Sequence, residues 1–417
     1  MTQQHHRTPR ASAVTSALAR VVGADLPGFE AAWGRAPWLY DGPGYDDLLD
    51  LAGIDELLST RGLRTPFLRV AKNGSTLPDR SFTAGGGVGA AIADQVSDAR
   101  LAHLFADGST LVLQALHRTW APIAEFTAAL AGELGHPVQA NAYVTPPQSQ
   151  GFSAHYDVHD VFVLQLAGEK RWIIHEPVLT WPMRDEPWDS GGRREQVATA
   201  AEGDAVLDVV LRPGDCLYLP RGYLHSARAL GGVSAHLTLG IHVWTRHHLA
   251  TEMMRRALAQ ADDLRRPLDL GVQVGDADTI AADTAAVRTA LIEAIEHLDD
   301  DDLAALMDAR ADDTGRPEPV RPLAQAAAAR DLTPDTPVRL RRHLRLRRTD
   351  ASDGVRLQGR GVDVLLEASP DLDVLDALLD GGVHTAAELD AQFGGESQGD
   401  GTALVARLVA AGVLVPA

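Results

Sequence analysis

The sequence predicts an α+β protein: a β-rich core, then a helical stretch, then a small mixed domain. Three patterns carry that expectation. Residues 161–166 alternate with period two, placing Val161, Val163 and Gln165 on one face and Phe162, Leu164 and Leu166 on the other, so this strand is expected to be buried on both sides. From Arg246 to about Asp312 the apolar spacing turns helical, with helices expected over 249–264, 283–297 and 301–309. A Pro-rich linker at 315–322 leads to an alternating strand at 338–346, three helices at 371–379, 385–393 and 401–411, and a last strand from Gly412. A chain of 417 residues exceeds one ordinary core. The expected divisions are an N-terminal segment 1–25, a core domain 26–245, a helical region with its linker 246–330, and a terminal domain 333–417.

In chain order, residues 1–10 are polar with no apolar stretch, which reads as no signal peptide, and the first dozen residues are expected to be disordered. A short amphipathic helix is expected at 46–58, strands at 66–71 and 110–116 and a helix at 121–134, after which 138–144 leads into the site. Gly85-Gly86-Gly87 lacks a following Lys-Ser/Thr and is read as a plain loop, not a phosphate loop.

The chemistry concentrates at 151–177. His155 and Asp157 are two apart, and in a strand such residues share a face. Gly168 breaks the apolar run, and 170–174 reads as the return strand of a hairpin. A third ligand is available downstream: Pro213-Gly214-Asp215 is a turn, 216–219 a short strand, Pro220-Arg221-Gly222 a second turn, and His225 follows it. Two His and one carboxylate on a facial edge are the ligand set of non-haem Fe(II) oxygenases, with three positions open for a chelating 2-oxo acid and O2. The plain alternative is a structural His beside a surface ion pair, and His159, Asp160, His175, His236 and His242 are other ligand candidates. Ser234, His236, Thr238 and Gly240 share one face of an alternating strand at 234–244, so Ser234 and Thr238 either hydrogen-bond a cosubstrate or simply pack.

His155-x-Asp157, the setting Pro220-Arg221-Gly222-Tyr223-Leu224-His225, and Gly168-x-Lys170-x-Trp172 resemble the cupin-like JmjC oxygenases, and above all their ribosomal-oxygenase branch. The resemblance is clearest over 140–245, and residues 29–40 resemble the segment in which the family begins. It implies a double-stranded β-helix (jelly-roll) catalytic core, a helical dimerisation region at 246–330 and a winged-helix-like domain at 333–417. It implies Fe(II) held by His155, Asp157 and His225, with 2-oxoglutarate and O2 as cosubstrates. It also implies that Lys170, fifteen residues after His155, binds the distal carboxylate of 2-oxoglutarate, and that Asn141, fourteen before it, lies beside the site. Arg171, Arg221 and Arg228 are the alternative basic groups, and a solvated hairpin Lys is the plain alternative for Lys170. The activity implied is hydroxylation of an Arg or His of a ribosomal protein.

Composition bounds the partners. The formal charge of −19 disfavours general nucleic-acid binding and favours a basic protein substrate. Of 38 basic residues only Lys72 and Lys170 are Lys, a bias of GC-rich bacterial genomes that argues against a histone demethylase. One cysteine, Cys216, fits a reducing cytoplasm, and no apolar run approaches the roughly 18 residues of a membrane helix. Residues 334–417 carry nine Arg against thirteen acidic residues, so the terminal domain is expected to contact protein and not DNA. Residues 178–205 read as an insertion near the mouth of the site, in which Trp181, Arg184, Trp188 and Arg193 either contact substrate or form an ordered surface loop. The same chemistry on a biosynthetic peptide or small molecule, or a non-enzymatic cupin regulator, are the alternative functions.

Overall fold

The structure is a computed structural model that describes residues 16–72, 74–367, 372–393 and 401–417. The first dozen residues, expected to be disordered, lie outside the described ones. The chain forms two compact units, Met1–Val243 and Trp244–Ala417.

The first unit is built on one nine-stranded antiparallel sheet: β1 (Trp38–Asp41), β2 (Leu68–Lys72), β3 (Ser75–Thr76), β4 (Thr110–Leu113), β5 (Val138–Thr145), β6 (Asp160–His175), β7 (Leu207–Leu211), β8 (Asp215–Leu219) and β9 (Leu224–Ile241). The hydrogen-bonded order is β1-β8-β6-β9-β5-β4-β2-β3, with β7 also pairing β6. Strands β6 and β9 pair along their whole length, from Leu224 opposite His175 to Ile241 opposite Asp160.

Residues 170–174 are therefore not the return arm of a hairpin. They continue β6, because Ala167 and Glu169 on either side of Gly168 stay in the ladder with β9. Gly168 adopts φ 63°, where an added Cβ would lie 2.1 Å from the carbonyl oxygen of Val233. The strand bends there without reversing, and β9 bends opposite it through a register shift between Leu230 and Ala235. The side-chain parity switches at the bend. Before it Val161 and Val163 face inward, and after it Trp172 and Ile174 do; the two halves pack on each other in one cluster with Leu211, Leu217 and Leu219. This is the folded-over sheet that a double-stranded β-helix requires.

The other face of the first half is covered by helices. Phe162, Leu164, Tyr218, Leu237 and Leu239 pack with Ile123, Phe126 and Leu130 of the helix Ala121–Leu134 in the main core. The expected helix at 46–58 is seen at Leu51–Ser59, and the expected strand at 110–116 stops at Leu113, because Ala115 turns left-handed at φ 56°.

In the second unit the helical stretch comprises Arg246–Gln260, Ala277–Glu296 and Asp300–Thr314. A helix at Pro322–Arg330, expected as linker, has Pro at its start, and its buried Gln325 donates to the carbonyls of Val409 (2.7 Å) and Leu414 (2.6 Å). It belongs to the core of the terminal domain. The single strand expected at 338–346 is broken. Val338–Leu340 ends at buried Arg341 and left-handed His343, and Arg347–Ala351 starts a separate three-stranded sheet with Gly354–Gly359 and Val362–Glu367. In this stretch Arg339 and Arg342 are ion-paired with Glu318, Arg345 with Asp308 and Arg348 with Asp376. The remaining helices run Leu372–Leu379, Ala386–Phe393 and Gly401–Ala410, and Leu414–Pro416 is the last strand; Asp371, expected to start the first of these helices, lies outside the described residues.

Gly168→Ala is expected to lower stability by at least about 2 kcal/mol in urea unfolding, from left-handed strain of about 1–2 kcal/mol plus a backbone clash. Destabilisation below about 0.5 kcal/mol would show that the bend does not depend on glycine.

Candidate metal centre

Three ligand-type side chains converge beside the bend. His155, Asp157 and His225 place one donor atom each within 4.8 Å of one another, the only such group among the described residues. The backbone brings them together. His155 N donates to His225 O at 3.1 Å, His225 N to His155 O at 2.8 Å, and Gly222 N to Asp157 O at 3.1 Å. Apart from that bridge, residues 151–159 lie outside the sheet, so His155 and Asp157 do not sit in a regular strand as expected. Their common side still follows from extended backbone: Tyr156 between them points away and is buried with Val197 and Leu224.

Second-row contacts set the tautomers. His155 Nδ1 lies 2.7 Å from Ser153 O and His225 Nδ1 3.1 Å from Tyr223 O. A carbonyl oxygen only accepts, so each Nδ1 carries the proton and each Nε2 keeps its lone pair for a metal. Burial, then the neighbouring His155, pushes His225 down to about 4, so its imidazole is neutral. Burial alone would raise the Asp157 carboxyl, but His159, His225 and His155 around it hold it below the usual range. Asp157 Oδ2 lies 3.8 Å from His225 Nε2. Two imidazoles and one carboxylate on one edge fit a divalent iron with open positions.

Lys170 closes the deep end of the same pocket. It is 4 % exposed, and its Nζ donates to Thr145 Oγ1 at 3.1 Å and faces His236 Nδ1 at 3.4 Å. No carboxylate among the described residues pairs with it. Burial pushes its ammonium down to about 7, and burial together with Lys170 keeps His236 neutral, far below its usual range. A buried ammonium with only neutral partners is a site for an incoming anion.

The other expected residues divide. Thr238 lines the pocket. Asn141 stands opposite Thr238 in the β5–β9 register, but it is outside the lining and its Oδ1 accepts from Ala115 N at 3.0 Å. Ser234 is turned away and accepts from Gln165 Nε2 at 2.9 Å, because the register shift in β9 lies next to it. His159 lies beside Gln139 and His242, outside the ligand group. His175 and His236 are buried, His236 stacked on Tyr143 at 4.9 Å. Arg171 is an exposed partner of Asp208, and Arg228 an exposed donor to Gln148 O. Of the 178–205 insertion, Trp188 approaches His155 at 6.4 Å, whereas Arg193 pairs with Glu186 and Trp181 donates to Gly34 O.

Sequence reasoning missed Tyr143, Trp172 and Thr110 as lining residues, and Arg69. Arg69, Val112, Tyr143 and His236 are register partners in turn across β2, β4, β5 and β9. The Arg69 guanidinium makes no hydrogen bond or ion pair among the described residues, its Nε is buried, and it acts on both Asp157 and Tyr143. The period-two run Asn141, Tyr143, Thr145 carried a signal for Tyr143; nothing local marks Arg69.

Lys170→Ala is expected to weaken binding of 2-oxoglutarate by about two to four decades, since an unpaired buried charge costs about 3–5 kcal/mol. The pH dependence has a definite sign. The ammonium is present below about 7 without ligand, so affinity for the dianion is greatest there and falls up to tenfold per pH unit above it, where binding must take up a proton. Titration followed by charge-transfer absorbance of the Fe(II) complex checks both. A flat profile from pH 6.5 to 8.5, or Lys170→Ala binding within threefold of the parent, removes Lys170 as anchor.

Comparison with known proteins agrees with this geometry. Residues 117–249 match the JmjC domain family. The chain is 38 % identical over 169 residues to the bifunctional lysine-specific demethylase and histidyl-hydroxylase NO66 of Drosophila persimilis, covering 39 % of this chain and 23 % of that protein. It is 31 % identical over 282 residues to ribosomal oxygenase 1 of Gallus gallus, covering 64 % of this chain and 44 % of that one. The chain thus spans less than half the length of these relatives. Among solved structures, YcfD, a ribosomal oxygenase from Escherichia coli in complex with cobalt and 2-oxoglutarate, superposes with a TM-score of 0.52 at 18 % identity, over 94 % of this chain and 98 % of that one. Residues 117–249 thus match the JmjC domain, in a chain similar in sequence to ribosomal oxygenase 1 and in fold to YcfD.

Proposed function

We propose that the protein is an Fe(II)- and 2-oxoglutarate-dependent oxygenase that hydroxylates a protein side chain, with an Arg or His of a ribosomal protein as its target. The observation that carries the reading is the pairing of a ligand triad with a buried, unpaired ammonium in one pocket. The two ends of 2-oxoglutarate match the two ends of that pocket, a carboxylate for Lys170 and a 2-oxo acid for the metal. When bound, iron and 2-oxoglutarate supply the oxidising chemistry, in which O2 is split between succinate formed with loss of CO2 and a hydroxyl group on the substrate carbon.

The residues do the rest. Asp157 would contribute the one anionic ligand, with His155 and His225, each oriented by a carbonyl at Nδ1, as the two imidazole ligands. Lys170 and Thr145 orient the cosubstrate, and Thr110 donates to Thr145 at 3.2 Å, fixing that hydroxyl. Tyr143, Trp172 and His236 wall the pocket against water. Thr238 sits on the cosubstrate side, and Asn141 acts one layer behind it through Ala115.

The accessory part is read as a dimerisation region at 246–330 and a winged-helix-like domain at 333–417. Support for a homodimer comes from the helix Ala277–Glu296, which has no buried residue and leaves Val287 40 % and Ile292 58 % exposed. The ion-paired Arg residues of the terminal domain support protein contact over DNA binding. The charge of −19 supports a basic partner. Among the described residues no helix is long and apolar enough to cross a membrane, and we place the protein with the cytoplasmic pool of ribosomal proteins.

Ribosomal proteins from cells with this gene should show one species heavier by one oxygen than in cells without it, and Asp157→Ala should abolish the difference. Unchanged intact masses across all ribosomal proteins would refute the ribosomal target and leave a peptide or small molecule. Light scattering should give twice the chain mass, and Ile292→Asp should shift it toward the monomer; a monomeric parent protein contradicts the dimer.

A further inference from the structure

We propose that Asp160 and Arg221 are a positioning pair that sets the distance between the two chain segments carrying the metal ligands; the inference rests on the metal site proposed above. Asp160 opens β6 three residues after Asp157, and Arg221 lies in the turn four residues before His225. Read from sequence, one was a rival ligand and the other a rival anion anchor. The geometry gives them a shared role.

Asp160 is 0 % exposed, and both its oxygens are engaged. Oδ1 accepts from Arg221 N at 3.2 Å and from Arg221 Nη1 at 3.5 Å, and Oδ2 accepts from Tyr218 Oη at 2.5 Å. Tyr218 Oη in turn accepts from Gly34 N at 2.8 Å, which anchors the group to the body of the unit. The two segments are thus joined by three rungs. The His155–His225 and Asp157–Gly222 rungs are backbone to backbone, and the Asp160–Arg221 rung is the charged one.

The third rung controls the position of His225. Arg221 is held at both its backbone N and its side chain, so the carboxylate grips the turn itself. Gly222 follows with φ 93° and no space for a Cβ, which would meet Leu179 O at 2.4 Å. Tyr223 comes next, and its carbonyl orients the His225 ring. A shift of the turn therefore rotates the imidazole and changes its 3.8 Å separation from Asp157. A buried ion pair is weak by itself as a source of stability, because an apolar pair of the same volume often does as well. Its use here is to fix ligand geometry, as carboxylates behind metal-bound groups do.

The test uses Co(II) titrated into the full chain, read by visible d–d absorbance, with melting temperature as a folding control. Asp160→Asn and Arg221→Gln are each expected to bind Co(II) about 10–100-fold more weakly with an altered band shape. The double variant should be no weaker than the weaker single one, since the two act as one unit. Arg221→Lys should recover most of the affinity. Should Asp160→Asn not fold, Arg221→Gln and Arg221→Lys, at the edge of the buried group, carry the comparison. Folded Asp160→Asn or Arg221→Gln with Co(II) affinity within twofold of the parent and an unchanged spectrum overturns the pair. Asp157→Ala separates the two levels: if it too leaves Co(II) binding intact, the metal site itself is wrong.

Discussion

Everything in the first unit depends on two long strands that stay hydrogen-bonded to each other while both bend. β6 and β9 pair on both sides of the bend, from Leu224 opposite His175 to Ile241 opposite Asp160, and the bend folds their second halves over the first. An antiparallel ladder cannot bend in one strand alone without losing hydrogen bonds, so Gly168 in β6 is answered by a register shift in β9. The bend makes one sheet into two facing layers, and the pocket is the space between them. One layer supplies Val161, Val163 and Thr238, the other Lys170, Trp172 and Ala227.

The charge plan of the pocket follows its depth. Asp157, a third exposed, stands toward solvent, where His159, His225 and His155 outweigh the cost of its partial burial and hold its carboxyl below the usual range. Lys170, 4 % exposed, stands at the closed end with only neutral neighbours. The two do not pair with each other. Had they done so, the protein would have gained a buried ion pair of little net value and lost both a metal ligand and an anion receptor. Keeping opposite charges apart leaves a dipolar slot, suited to a guest with an anionic tail and a metal-binding head.

The site was more legible in the sequence than the fold around it. His155, Asp157, His225 and Lys170 were singled out together by a resemblance in motif and spacing, Lys170 also by its rarity in a chain with two Lys, and the structure brings all four to one pocket. The hairpin expected at Gly168 failed because a glycine breaking an apolar run looks the same whether the chain reverses or bends; the choice is made by β9, some sixty residues downstream. Ser234 was misplaced for a related reason, since period-two reasoning does not survive a register shift beside the residue in question. In the terminal domain the alternating Arg residues suggested one strand, but Arg341 is buried and His343 turns left-handed, which tertiary contacts allow and local pattern does not reveal. Arg69 was invisible because its place beside Asp157 comes from three successive strand pairings.

The parity switch at Gly168 makes part of this sequence a ruler. Along β6 every residue but Leu166 and Gly168 faces a partner in β9, so a one-residue insertion or deletion away from the bend, between Asp160 and Gln165, would put the ammonium out of register and bring Glu169 or Arg171 inward. Between Lys170 and His225 the chain instead passes through the insertion after His175, whose residues 178–205 join no strand pairing. Strand register thus fixes the spacing on one side of Lys170, whereas on the other side part of the chain lies outside any ladder. A change of length there leaves the spacing between Asp157 and Lys170 untouched.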